Sequence, residues 1–335
     1  MRTFLLASAV AAFPAFASAQ TITTDIVENH ILPRFDTLAA NGQALSDAAI
    51  SDCTATSAPL RAAYGTAFDA WIAVSHMRFG PTETEDRAFA LAFWPDSRGA
   101  TPKALATLIS DADPIAQSAE AYRDMSIAAR GFFAMEFLLY DATISTAGDD
   151  AYRCQLVQTV AADIANLTQD IATDWQSTYA ALLTNPTDDG LYRSDLEAQQ
   201  EFFKALTTGL QLTSDARLAR PLGTFDRPRP RRAEAWRSER SARHVAVALT
   251  SLADLAKRLS QDDPALQEEL LAAFARAQAQ IDALDAPAFA GVANPVSRIK
   301  VEAIRSRVEE IREIASNDLG TSLGVASGFN ALDGD

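Results

Sequence analysis

Apolar side chains recur at three- and four-residue steps along nearly the whole chain. Val27, Ile31, Phe35 and Leu38 make one stripe, and Leu60, Tyr64, Phe68 and Trp71 the next. Val157, Val160, Ile164, Leu167, Ile171, Trp175 and Leu182 make a long third, and Leu196, Phe203, Leu206 and Leu210 a fourth. Three more follow, through Val245, Leu249, Leu252, Leu255 and Leu259, through Leu266, Leu270, Phe274, Ala277, Ile281 and Leu284, and through Val301, Ile304, Val308, Ile311 and Ala315. This spacing gathers side chains on one face of an α-helix, whereas a half-buried strand alternates every second residue. Gly80-Pro81, Asn185-Pro186, Asp189-Gly190, Pro221 with Gly223, and Asn294-Pro295 supply the breaks. Amphipathic helices with short breaks predict an all-α protein of two antiparallel helical bundles.

Residues 213–234 hold Pro221, Gly223, Pro228 and Pro230, which interrupt helicity. The predicted division is therefore a first bundle over 20–215 and a second over 216–335. Residues 1–19 read as a signal peptide. Arg2 is followed by an apolar run and by Ala17-Ser18-Ala19, a small-x-small cleavage pattern, with no cysteine near the cut for a lipid anchor. The chain is thus expected to be exported, soluble and periplasmic, with no membrane span in its mature form. In that compartment Cys53 and Cys154 are expected to form a disulfide, closing a loop worth roughly 4–5 kcal/mol as an upper estimate.

The formal charge of −15 repels phosphate backbones and anionic lipid, which argues against nucleic-acid and membrane-surface partners. Arg227, Arg229, Arg231, Arg232, Arg237, Arg240 and Arg243 form the one basic stretch. It reads as a connector salt-bridged to its acidic surroundings, with an anion site as the alternative.

Several chemistries have no signature here. The histidines His30, His76 and His244 show no HExxH spacing, and there is no phosphate loop, dinucleotide fingerprint or G-x-S-x-G elbow. Two segments depart from the bundle pattern. Residues 76–102 mix aromatics, arginines, acids, Gly and Pro, the mark of a functional loop. The tail 319–335 is rich in Gly and small residues.

Residues 126–141, SIAARGFFAMEFLLYD, predict a helix apolar on nearly every side, with Glu136 at its centre. A buried carboxylate must be neutralised, paired or bound to a cation. Arg78, Arg98, Arg130 and Arg240 are candidate partners. Arg130 lies six residues away on the same helix and points elsewhere, leaving Arg78 or Arg240 as the expected pair.

Gly131-Phe132-Phe133-Ala134-Met135-Glu136 resembles the G-x-H-x-x-E motif of the imelysin family, with Phe133 where the motif has His. Arg78-Phe79-Gly80-Pro81 is similar to its F-G-P segment, Trp236-Arg237-Ser238-Glu239-Arg240-Ser241 to its W-R-S-x-R-S segment, and residues 328–335 to its G-F-N…D-G-D ending. The resemblance implies two helical bundles meeting at a cleft, and an envelope protein linked to iron uptake. The expected ligand-binding residues are Gly131, Glu136, Arg78, Trp94, Arg98, Trp236, Arg237, Arg240 and Ser241, with Phe79 on the same wall. The expected cargo is a small ligand or a metal ion, iron or another divalent metal, with Glu136 and His76 as the candidate metal ligands. An envelope protein partner is a further expectation. Some members are described as metallopeptidases, but Phe133 cannot ligate a metal. A metallopeptidase and a non-catalytic scaffold or interaction protein stand as the alternatives to a ligand-binding protein.

Overall fold

The computed structural model describes residues 21–325. The predicted signal peptide and the G-F-N…D-G-D segment lie outside the described residues.

The apolar stripes become helices. Helix α1 covers residues 22–51, through a π-turn at Val27–Ile31, and α2 is Ala58–Val74. Helix α3 is Ala100–Asp111 and α4 is Gly131–Tyr140. Helix α5 covers 150–184 with a π-turn at Trp175–Tyr179, and α6 covers 195–222 with one at Leu212–Leu218. Helices α7 (Ser241–Leu259) and α8 (Pro264–Asp282) precede α9, which covers 295–322 with a π-turn at Ala315–Leu319. Asp149, Ser194, Asp263 and Asn294 stand at the N-caps of α5, α6, α8 and α9, and each side chain accepts a backbone N–H of the first turn. The fold is all-α: among the described residues the only β feature is an isolated bridge between Thr224 and Arg227. No described helix is long and apolar enough to cross a membrane.

Helix α1 packs along α5 and α2, and α4 packs on α5 and α3. Helix α8 contacts both α7 and α9, while α6 packs on α7 and α9. Helix α2 against α7 joins the two groups. Residues 215 and 216, where the division is predicted, fall inside the π-turn of α6.

The π-turns also explain where the stripes lose phase. Each adds a residue to one helical turn and rotates the following positions. After Trp175, Leu183 is buried instead of Leu182, which is 42% exposed. Cys53 and Cys154 form a disulfide that ties the loop after α1 to α5, with a Cα–Cα distance of 5.1 Å.

Candidate functional site

The predicted helix over 126–141 divides at Arg130. A short 3₁₀ turn, Ile127–Ala129, precedes it, and α4 starts at Gly131 with φ +70°. A Cβ at Gly131 would run into the carbonyls of Ala90 and Leu91, so both conformation and space require glycine. Arg130 makes a two-point contact with Asp163 of α5, at 2.9 Å from Nε and 2.7 Å from Nη2. Asp163 is fully buried, and the pair fixes the start of α4 on α5.

Residues 131–139 are all buried. Phe132 stacks on Phe68 of α2 at 4.7 Å between centroids, and Phe133 meets the same ring edge-on at 5.3 Å. His244 of α7 approaches Phe68 from another side, at 4.4 Å. Trp94 lies parallel to Phe133 at 6.3 Å. An aromatic ladder therefore runs from α7 through α2 and α4 to the 93–97 loop, and Phe133 is one of its rungs.

Glu136 is 1% exposed. Its Oε1 accepts from the Ser238 backbone N–H (3.0 Å) and from the Ser238 hydroxyl (2.8 Å), and Arg237 Nη1 stands 4.0 Å from Oε2. Burial pushes the carboxyl pKa up, while the Ser238 bonds and the Arg237 charge pull against it. The expected partners are elsewhere. Arg78 pairs with Glu83 and lies over Phe89, and Arg240 donates to the Gly65 carbonyl at 2.8 Å and pairs with Asp69. The reason is local: Arg78 meets a carboxylate five residues on, and Arg240 fits the space that Gly65 leaves, where a Cβ would stand 2.6 Å from Nη1.

A cleft of about 340 Å³ opens beside Glu136. Phe133, Glu136 and Phe137 of α4 form one side, and residues 93–102 form another, including Trp94, Asp96 and Thr101. The third side is Arg220 of α6 with Arg231, Arg232, Trp236 and Arg237 of the connector. Of the expected binding residues, Glu136, Trp94, Trp236 and Arg237 come together here. Gly131 supports the wall from behind. Arg98 is exposed between two lining residues, Ser97 and Gly99, and Ser241 is buried, donating to the Glu234 carbonyl. Arg78, Arg240 and Phe79 do not line the cleft; Phe79 packs among Trp175, Tyr179 and Phe202. Arg220, Asp96 and Ser238 escaped the sequence reading, although Ser238 stands inside the W-R-S-x-R-S segment.

The cleft's acids and bases are unequally committed. Asp96 caps α3, accepting from Ala100 and Thr101 N–H at 2.9 Å each, and Glu136 is held by Ser238. Arg237 donates to Asp141 and covers the Phe137 ring at 3.7 Å. Arg220, Arg231 and Arg232 have no carboxylate partner among the described residues; Arg220 lies over Trp94 at 5.7 Å and Arg231 over Trp236 at 5.6 Å. Burial and the neighbouring Arg232 charge lower the Arg220 pKa, as befits a cation without a counter-charge. The basic stretch therefore does not read wholly as a salt-bridged connector, because part of its charge faces an open cleft.

These residues do not fit a metal centre copied from the family motif. Phe133 offers no ligand atom, Glu136 Oε1 already accepts two hydrogen bonds, and an arginine flanks Oε2. His76 is buried in another cluster, its Nε2 3.2 Å from His30 Nε2, with His30 Nδ1 2.8 Å from Asp254. Among the described residues no group of three His, Cys, Asp or Glu side chains is placed to hold a metal ion.

The fold and cleft define a class: an all-helical protein with a ligand-sized cavity beside a buried glutamate. The family model described as Imelysin matches residues 31–315, and the chain belongs to that family. Iron-regulated protein A of Synechococcus elongatus is 26% identical, over 90% of this chain and 87% of that protein. An imelysin-like protein from Psychrobacter arcticum shares the fold, with a TM-score of 0.78 at 21% identity over 92% of this chain and 96% of that one. A putative iron-regulated protein A precursor from Parabacteroides distasonis superposes with a TM-score of 0.75 at 13% identity, covering 90% and 94%.

Proposed function

We propose that the protein is an exported member of the imelysin family that holds a ligand in the cleft beside Glu136 as part of iron acquisition. The observation that carries this reading is the cleft itself. Two tryptophans and four arginines converge on the one helix that bears the family motif, in a volume suited to a small molecule. The relatives named as iron-regulated proteins supply the physiological direction. The peptidase alternative is disfavoured by Phe133, which packs as an aromatic rung at the position of the motif histidine.

The test is a deletion strain grown with and without an iron chelator, together with fractionation of the parent strain. The reading expects the protein in the periplasmic fraction, at a level that rises under chelation, and slower growth of the deletion strain when iron is limiting. A deletion strain that grows like its parent under chelation refutes the iron role, and retention in the cytoplasm refutes export.

A further inference from the structure

The geometry points to an oxyanion ligand: the cleft takes a small molecule by two or more carboxylate groups, free or as the chelate of a metal ion, and does not take a bare cation. This deepens the reading above and rests on it, because the cleft must first be the binding site.

Four guanidinium groups line the cleft, and both carboxylates among the lining residues are engaged within the protein. A bare divalent cation entering here meets an excess of positive charge and no free acceptor pair. An anion meets the reverse. Arg237 is answered by Asp141, but Arg220, Arg231 and Arg232 have no carboxylate partner among the described residues, which favours an anion as the occupant.

The manner in which the arginines are held sharpens the point. Arg220 lies over Trp94, and Arg231 and Arg237 lie over Trp236. An indole face steadies a guanidinium plane through its π-electrons and leaves the N–H edge available. That edge is what a carboxylate contacts at two points. Two cleft residues also carry buried polar atoms that have no partner. Arg220 Nε is one, and the hydroxyl of Thr101, a residue 1% exposed, is the other. Both atoms are closed off from solvent in this arrangement, so each is an unmet hydrogen bond of the cleft wall rather than an open contact point. The spread of the cations over α6 and the connector favours several acidic groups over a single one.

Titration calorimetry on the purified chain tests the proposal with three probes: citrate, ferric citrate and zinc chloride. Three variants accompany the parent, namely Arg220→Gln, Arg232→Gln and a blocking change, Ser97→Trp, at an exposed lining residue. The expected result is binding of citrate or ferric citrate that weakens as salt rises, weakens about tenfold or more in each arginine variant, and is lost in Ser97→Trp. Tighter binding of citrate alone identifies the free acid as the source; tighter binding of ferric citrate identifies the chelate. Binding lost in Ser97→Trp but unchanged by both arginine variants overturns the oxyanion assignment and leaves the cleft as the site. Binding that survives Ser97→Trp overturns the cleft reading itself. Zinc bound in the cleft with no response to citrate or ferric citrate at millimolar concentration also overturns the proposal. Thermal melting of each variant, expected within a few degrees of the parent, separates loss of binding from loss of fold.

Discussion

Replacing Arg130 by Met strands a charge. Asp163 is fully buried, and its two oxygens face Nε and Nη2 of Arg130 at 2.9 and 2.7 Å. Burial pushes the Asp163 pKa up even with the guanidinium in place. Removing one partner of such a pair costs about 3–5 kcal/mol, because the remaining carboxylate stays desolvated and unanswered. For roughly 300 ordered residues the unfolding entropy is about 0.6 kcal/mol/K, so the melting temperature should fall by about 5–8 °C. The sign of the pH dependence is fixed by the same carboxyl. A folded-state pKa raised above the unfolded value imposes no penalty below the unfolded value, and a growing one as pH rises through it. The deficit of Arg130→Met should therefore be largest near neutrality and shrink on acidification toward pH 4, about the ordinary aspartate value. The double change Arg130→Met with Asp163→Asn should recover much of the loss, since the stranded charge is gone. Urea unfolding of parent, single and double variants, at neutral and acidic pH, measures all of this from the transition midpoints. A deficit that ignores pH and persists undiminished in the double variant would refute the stranded-charge argument and leave only lost packing.

Three further outcomes are expected. Burial lowers the His30 pKa to about 4 against the opposing pull of Asp254, and lowers those of His76 and His244 as well. Unfolded histidine takes its proton near pH 6.5, so stability should fall as pH drops from 6.5 toward 4, by about 3 kcal/mol for His30 alone; His30→Asn should flatten that slope in urea titrations, and an unchanged slope would exclude His30 as its source. Replacing Cys53 and Cys154 together by Ser should destabilise the fold by up to about 5 kcal/mol, seen as a lower melting temperature that no longer responds to reductant. Gly131→Ala should cost more than about 1–2 kcal/mol, since the left-handed backbone penalty is compounded by collision with the Ala90 and Leu91 carbonyls; a urea midpoint equal to the parent's would contradict the strained geometry.

The helices were legible in the sequence because periodicity is a local property and the caps lie within a few residues of the ends they close. Registry after a π-turn was not legible. One inserted residue near Trp175 moves burial from Leu182 to Leu183, and nothing in the residue types of Trp175–Tyr179 announces the insertion. On α6 the predicted stripe holds at Leu206 and Leu210, but at its start Ala198 and Phe202 are buried in place of Leu196 and Phe203. Small residues carry little periodic signal, so the true face of that helix was hidden behind its larger neighbours.

The candidate site shows the same division between local and distant information. The sequence identified Glu136 as a buried carboxylate needing an answer, and that followed from the apolar residues beside it. Its partner was sought among arginines, by charge alone, yet the direct donor is Ser238, through its backbone N–H and its hydroxyl. A short polar side chain on a tight turn can reach a buried oxygen without bringing a second charge out of water, which is the costlier step for an arginine. Nearby, Arg217 shows the other solution. It is 3% exposed and donates to Glu234 at 2.8 Å, while His244 meets the same oxygen at 3.1 Å. Burial pushes Glu234 up, but these two neighbours outweigh it and hold its carboxyl at about 2. The connector is thus fastened through Glu234, held by Arg217 and His244, through Ser238 on Glu136 of α4, and through Arg237 on Asp141 and Arg240 on Asp69. Arg231 and Arg232, which follow Pro230 on the same connector, have no carboxylate partner among the described residues. A single stretch of seven arginines therefore divides by geometry into residues that hold the fold together and residues that face the cleft, a distinction that residue type does not encode.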